Sequence, residues 1–156
     1  MIYDYQSSLM SSRIRVPTPC IGLCSTTFGD SVCRGCKRFA HEIVDWNRYE
    51  EHQKSAVIAR LTQIIEATVT RYLIVTNCGL LEAALQQFGF RYRADQSSKC
   101  WAYDLFRQTK GRILSLQDVG LAKGPQSTAL ENPAIWDAMS AEFLAVSEGH
   151  YELYFR

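Results

Sequence analysis

The chain has 156 residues, of which 47% are hydrophobic and 21% charged, and its formal net charge is +1. This composition is typical of a globular protein and excludes disorder over the whole length. A net charge so close to zero gives no overall basic signature for nucleic-acid binding. Because no run of about 18 apolar residues occurs, the sequence predicts no membrane span.

Residues 1–16 are interpreted as an N-terminal tail, which leads through Pro17 and Pro19 into an extended segment. The tail lacks a basic start followed by an apolar run, so we predict no export signal and a cytoplasmic protein. The six cysteines would then lie in a reducing compartment. In that setting, closely spaced cysteines indicate metal ligands or redox groups rather than structural disulfides.

Four cysteines follow the tail as a Cys-x3-Cys pair and a Cys-x2-Cys pair, namely Cys20, Cys24, Cys33 and Cys36. Four soft donors at this spacing suit a zinc ion or an iron–sulfur cluster. Mononuclear zinc is favoured, because two short pairs around a turn match closed tetrahedral sites, although Cys-x3-Cys is less usual for zinc and keeps the cluster open. Gly35 is expected to adopt a positive φ at the turn of the second pair.

Basic residues accompany the second cysteine pair. Arg34, Lys37 and Arg38 partly offset the negative charge of the thiolates, and we expect their loop to be exposed and to meet a partner. A second basic stretch contains Arg91 and Arg93 among aromatic residues. Such a stretch either follows a nucleic-acid strand or forms a solvated face over core aromatics. The partner could be a protein or RNA.

A helix is predicted after the cysteines, because Phe39, Ile43 and Trp46 recur at i, i+4 and i+7. The motifs up to this helix are Pro19-Cys20-Ile21-Gly22-Leu23-Cys24, Cys33-Arg34-Gly35-Cys36-Lys37 and Glu42-Ile43-Val44-Asp45-Trp46. With these motifs, the segment from about residue 17 to 61 resembles the bacterial domain of unknown function 1289. The resemblance implies a four-cysteine metal module. Its family members are often labelled predicted iron–sulfur proteins, a label that rests on the cysteines.

The remaining elements are predicted from hydrophobic periodicity and from capping residues. Helices are expected over residues 52–69, from Asn77 to Gly89, from Ser97 or Ser98 to Gly111, and from Asn132 to Gly149; strands are expected at 72–75, 90–93, 113–116 and 151–155, with a loop at 120–127. The fold class is therefore α+β. We predict a four-cysteine metal knuckle with two helices in residues 17–69, followed by a small α+β domain in residues 70–156.

The leading hypothesis for function is a non-enzymatic metal-binding interaction or adaptor protein with structural zinc. One alternative is an iron–sulfur protein with a redox or sensing role. Another is an enzyme that uses Cys78, which lies at a predicted helix start where the helix dipole lowers a thiol pKa. No catalytic set and no small-molecule site is evident in the sequence.

Overall fold

The computed structural model describes residues 15–155, so most of the predicted tail, residues 1–14, lies outside the described residues. The described part has five α-helices and one two-stranded antiparallel sheet, which confirms the predicted α+β class. The elements are α1 (Ala40–Asp45), α2 (Glu51–Tyr72), β1 (Leu73–Val75), α3 (Cys78–Gln87), α4 (Ser98–Thr109), β2 (Leu121–Lys123) and α5 (Asn132–Phe155), with short 3-10 helices at Ser25–Phe28, Trp46–Arg48 and Gln117–Val119. Within this part, every helix is too short or too polar to cross a membrane.

Helix α2 forms the centre of the fold and packs against both α4 and α5. Its predicted apolar stripe is buried or partly buried, and it joins one hydrophobic cluster with the inner faces of α4 and α5; buried members of that cluster include Leu61, Ile64, Phe106, Ile135, Met139 and Phe143. Full burial of each such side chain contributes roughly 1.5–3 kcal/mol. The predicted domain boundary at residues 69 and 70 lies inside α2, and the division into two domains stays a prediction.

Helix α3 begins as predicted from its capping residue. The Asn77 side chain accepts a hydrogen bond from the backbone N–H of Leu80 at 3.0 Å, while the Asn77 backbone is extended. This side chain satisfies one N–H that has no partner inside the helix. Strand β1, also predicted, pairs Leu73 with Lys123 and Val75 with Leu121 of β2. Strand β2 lies in the predicted loop, and its three residues are too few to show an alternating pattern.

The predicted strand at residues 90–93 is wrong, because no other strand in residues 15–155 pairs with this segment. The side-chain amide of Gln108 takes that place: its oxygen accepts from the Arg91 N–H at 2.9 Å, and its nitrogen donates to the Arg91 carbonyl at 2.8 Å. The alternation itself is real, since Phe90 and Tyr92 pack on the core while Arg91 is exposed. The Gln108 side chain therefore makes the backbone hydrogen bonds that the pattern predicted for a neighbouring strand.

Two further predicted strands are also wrong. Residues 113–116 are irregular, and the Ile113 carbonyl accepts a hydrogen bond from the Asn132 side chain at 2.7 Å. Residues 151–155 continue α5 beyond Gly149, where the sequence predicts the helix to stop. A glycine within a helix costs about 1 kcal/mol, and ring contacts of Tyr151 and Phe155 with Phe39, at 5.4 and 5.6 Å, offset that cost.

Gly120 provides a test of the contact between β2 and the start of α3. Its φ is +72°, and an added Cβ would overlap the Asn77 carbonyl oxygen. We expect Gly120→Ala to lower the free energy of unfolding by about 2–3 kcal/mol, from backbone strain plus overpacking. Gly89 is the matched control, since its φ is +67° with nothing near its Cβ position. Gly89→Ala should cost only about 1 kcal/mol, and equal losses in chemical denaturation would contradict the steric argument.

Candidate metal centre

The second cysteine pair lies on a tight turn that its own backbone closes. The Cys33 N–H donates to the Arg38 carbonyl at 2.9 Å, and the Lys37 N–H donates to the Cys33 carbonyl at 2.9 Å. Lys37 has a φ of 63° in the left-handed region, which turns the chain back after Cys36. Backbone hydrogen bonds and one left-handed residue therefore close the turn that carries Cys33 and Cys36.

Gly35 has a different role from the one predicted. Its backbone is outside the left-handed region, and the positive φ falls on Lys37 instead. A Cβ on Gly35 would lie 2.5 Å from the carbonyl oxygen of Leu23 and 3.2 Å from Cγ1 of Ile21. Glycine is needed here because the loop that carries Cys20 and Cys24 passes directly over the turn.

The sulfur of Cys33 lies in a buried position surrounded by backbone N–H groups. Burial raises the pKa of the Cys33 thiol, but the N–H groups of Cys36, Ser25 and Gly35 stabilise the thiolate and bring the pKa down to about 7. The Cys33 Sγ also lies 3.3 Å from the Leu23 carbonyl, to which the protonated thiol donates. N–H groups aimed at sulfur are the usual second layer of a thiolate metal site.

Cys36 lies beside Cys33 and has its own charged partner. Its thiol is close enough to contribute to the lowered pKa of Cys33. Burial raises the pKa of the Cys36 thiol, and the guanidinium of Arg38 opposes this by donating from Nε to Sγ at 3.3 Å. The Arg38 guanidinium is held 4.8 Å from the ring centroid of Trp46. A buried cation next to the sulfur stabilises a thiolate ligand.

The first cysteine pair faces its own loop. The Cys20 Sγ accepts from the Gly22 N–H at 3.4 Å, and the Cys24 Sγ lies 3.1 Å from the Thr26 hydroxyl oxygen. Within residues 15–155, no three side chains of His, Cys, Asp or Glu gather in a group that could hold a metal ion. The structure thus brings Cys33 and Cys36 together and does not converge all four sulfurs.

The loop of the first pair nevertheless docks on the turn of the second. Ser25 Oγ accepts from the Arg34 N–H at 2.8 Å, and the Leu23 carbonyl lies against Cys33 Sγ. Leu23 and Ser25, the sequence neighbours of Cys24, therefore both contact the turn. The backbone of Cys24 must lie beside that turn as well. Cys20 lines the same cleft as Cys36. Four thiols on two docked loops fit the donor set of a zinc or iron–sulfur site.

Two of the basic residues predicted to be exposed are buried instead. Lys37 and Arg38 are 3% and 4% exposed. The Lys37 ammonium donates to the carbonyls of Arg34 and Gly35 at 2.7 and 3.1 Å, so it stabilises the turn. Of this group only Arg34 lies on the surface, where it pairs with Asp30 at 3.3 Å. The prediction that Lys37 and Arg38 are exposed is therefore wrong. The Lys37 ammonium donates to carbonyls of the turn and the Arg38 guanidinium donates to the Cys36 sulfur, so both side chains are held inside.

The other predicted site residues lie in the second half of the chain. Arg91 is exposed, and Arg93 is partly exposed and bonded to Asp95 at 2.7 Å. Both arginines line the cleft that Cys20 also lines. Cys78 is exposed at the first residue of α3.

A charged pair that the sequence analysis missed, Glu42 and Arg60, connects α1 to α2 just after the second cysteine pair. Glu42 is 4% exposed and accepts from the Phe39 N–H at 2.8 Å, which caps α1. Two hydrogen bonds join its carboxylate to the guanidinium of Arg60, and that guanidinium lies 4.0 Å from the Phe39 ring centroid. The glutamate three residues after the cap is a known helix-start signal. Nothing local could have identified Arg60, eighteen positions further on.

The cysteines and the Glu42–Arg60 pair fall within one stretch that matches a family model. Residues 18–64 match the family described as "Protein of unknown function (DUF1289)". This match confirms the resemblance inferred from the motifs, and we refer to residues 18–64 as the DUF1289 segment. It includes the four cysteines, the Glu42–Arg60 pair and the first half of α2. No curated protein and no solved structure matches the chain.

Proposed function

We propose that this chain is a non-enzymatic interaction protein whose DUF1289 segment is stabilised by one structural zinc ion. Cys20, Cys24, Cys33 and Cys36 would hold the ion as thiolates. The observation that supports this most is the preformed Cys33–Cys36 turn, where backbone N–H groups and a buried arginine surround two adjacent sulfurs. The other two ligands lie on the loop that docks on that turn.

A structural role agrees with the composition of the segment around the cysteines. Residues 17–38 contain only one four-residue 3-10 helix, and most of their side chains outside the turn are at least partly exposed. Such a segment buries little apolar area, so a metal would contribute directly to its folding. Four protein thiolates leave no open coordination position, which is the arrangement of structural rather than catalytic zinc.

The interaction role rests on what the same segment exposes. Phe28 and Leu23 are 90% and 67% exposed, and Arg34, six residues after Phe28, is also exposed. Large apolar side chains grouped on a short loop favour a protein partner over RNA. Arg91 and Arg93 would extend the contact if the partner reaches the second half. RNA binding that falls steeply with salt would contradict this choice.

The metal content of the purified protein tests the proposal. We expect one zinc per chain and a colourless solution after anaerobic purification, since zinc–thiolate centres do not absorb visible light. Broad absorption near about 400 nm, together with iron, would identify the alternative iron–sulfur centre. If neither zinc nor iron is found above background, both the zinc proposal and its iron–sulfur alternative are overturned.

A pair of cysteine variants assigns the metal to these ligands. Cys33→Ser should lose the zinc, whereas Cys78→Ser should keep it, because Cys78 is exposed on α3 and is not a proposed ligand. Retention of full zinc in Cys33→Ser would place the metal elsewhere. A partner captured by the wild-type protein and lost on Phe28→Ser would support the interaction surface.

A further inference from the structure

A cleft of about 560 Å³ opens between α2, α4, the loop that follows α3 and the cysteine loops, where residues 17–21 and 35–36 line it. Its volume lies within the range of about 300–1,000 Å³ that is usual for small-molecule sites. One wall is apolar and consists of Ile58, Leu61 and Ile65 of α2, with Phe143 of α5 at the side. The sequence did not indicate this cleft, because its walls come from segments far apart along the chain.

The lining of the cleft also carries an excess of positive charge. Arg91, Arg93 and Arg107 all line the cleft, against a single carboxylate, Asp104. Arg107 lies 3.7 Å from Asp104, and Arg93 is bonded to Asp95. Arg91 makes no ion pair with any residue between 15 and 155. One guanidinium charge therefore remains uncompensated at the cleft.

A tyrosine hydroxyl without a partner lies in the same lining. Tyr103 is 4% exposed and lines the cleft, and no hydrogen bond to its hydroxyl occurs in the described part of the chain. Burial raises the pKa of this phenol, with Arg107 opposing and Asp104 adding to the effect, so both charged groups are its close neighbours. The hydroxyl oxygen is not sealed off from solvent, so it can donate a hydrogen bond to water or to a ligand in the cleft.

We propose that this cleft binds a small organic monoanion, with its apolar body against α2 and its carboxylate at Arg91 and the Tyr103 hydroxyl. A planar guanidinium matches a carboxylate with two parallel hydrogen bonds. The single uncompensated charge favours a monoanion over a phosphate dianion. The apolar wall favours an aliphatic or aromatic body over a fully polar one such as a sugar acid.

The proposal goes beyond the zinc-stabilised interaction role and can be tested apart from it. Cys20 and Cys36 line the cleft, so a bound ligand would lie beside the proposed metal centre. Binding is therefore measured on the full chain as purified, with its metal content determined in the same samples. Loss of ligand binding with unchanged metal content then concerns the cleft alone.

Isothermal titration with octanoate, phenylacetate, octyl phosphate and octan-1-ol provides the test. We expect saturable binding of octanoate or phenylacetate, about tenfold or more tighter than octan-1-ol, which lacks the charge. Arg91→Met should weaken carboxylate binding by about tenfold or more. Arg48→Met is the matched control, because Arg48 is 86% exposed outside the cleft, and it should leave the affinity unchanged.

Tyr103→Phe separates a ligand role from a structural one. Because the hydroxyl has no protein partner in the described residues, its removal should leave the melting temperature unchanged or raised, while the carboxylate affinity falls by about fivefold. Equal affinity for octanoate and octan-1-ol, tighter binding of octyl phosphate, or no saturable carboxylate binding up to about 10 mM would each overturn the proposal. So would carboxylate binding that Arg91→Met and Tyr103→Phe leave intact.

Discussion

Serine in place of Cys33 is expected to open the cysteine loops, residues 20–36, while the helical core stays folded. Structural zinc contributes about 10–16 kcal/mol of apparent binding free energy in isolated zinc-finger peptides, which is an upper limit here. The cysteine loops depend on that contribution, whereas α2, α4 and α5 share a continuous apolar core. We therefore expect amide hydrogen exchange in residues 20–36 to accelerate by at least about a hundredfold, or roughly 2.8 kcal/mol.

The control is again Cys78→Ser, in which the amide hydrogens should exchange at the wild-type rate. A chelator should reproduce the acceleration in the wild-type protein and add nothing in Cys33→Ser, because the metal is already absent there. Protection of the buried residues of α4, such as Leu105 and Phe106, should persist in both cases. Uniform loss of protection over the whole chain would show instead that the cysteine loops and the helical core unfold as one unit.

Elements with a local signal were predicted well. Asn77 begins α3, because its side chain caps the helix in the way that the residue type suggests. The apolar stripe of α2 is long and continuous, so its burial did not depend on knowing its partners. By contrast, residues 90–93 alternate like a strand but bond to Gln108, seventeen positions away from Arg91. Alternation of apolar and polar residues identifies which face of a segment is buried, but it does not identify the group that hydrogen-bonds to the segment's backbone.

The candidate metal centre shows the same limit. Spacing alone predicts the four cysteines as ligands and their chemistry predicts a soft metal, and both stay predictions. Their charge alone does not determine whether Lys37 and Arg38 face solvent. In the structure both are buried, because Lys37 donates to a carbonyl of the turn and Arg38 donates to the Cys36 sulfur. The cleft escaped prediction because Arg91 and Ile58 come together only through the packing of α2 near the loop after α3.

Methionine in place of Arg60 is expected to lower the free energy of unfolding by about 3–5 kcal/mol. The change leaves the Glu42 carboxylate, whose side chain is 6% exposed, without its cationic partner in the interior. It also removes the guanidinium that lies over the Phe39 ring. Chemical denaturation at neutral pH would measure the loss as a shift in midpoint at constant slope.

A double-mutant cycle isolates the contribution of the pair itself. Glu42→Gln keeps an oxygen that can accept from the Phe39 N–H, so it removes the charge with little effect on the cap. We expect a coupling energy of at least about 1.5 kcal/mol between Glu42→Gln and Arg60→Met. Arg48→Met provides the surface reference and should change stability by less than about 0.5 kcal/mol. Additive losses in the cycle would mean that Arg60 acts through its packing on Phe39, and that the ion pair does not fasten the cysteine loops to α2.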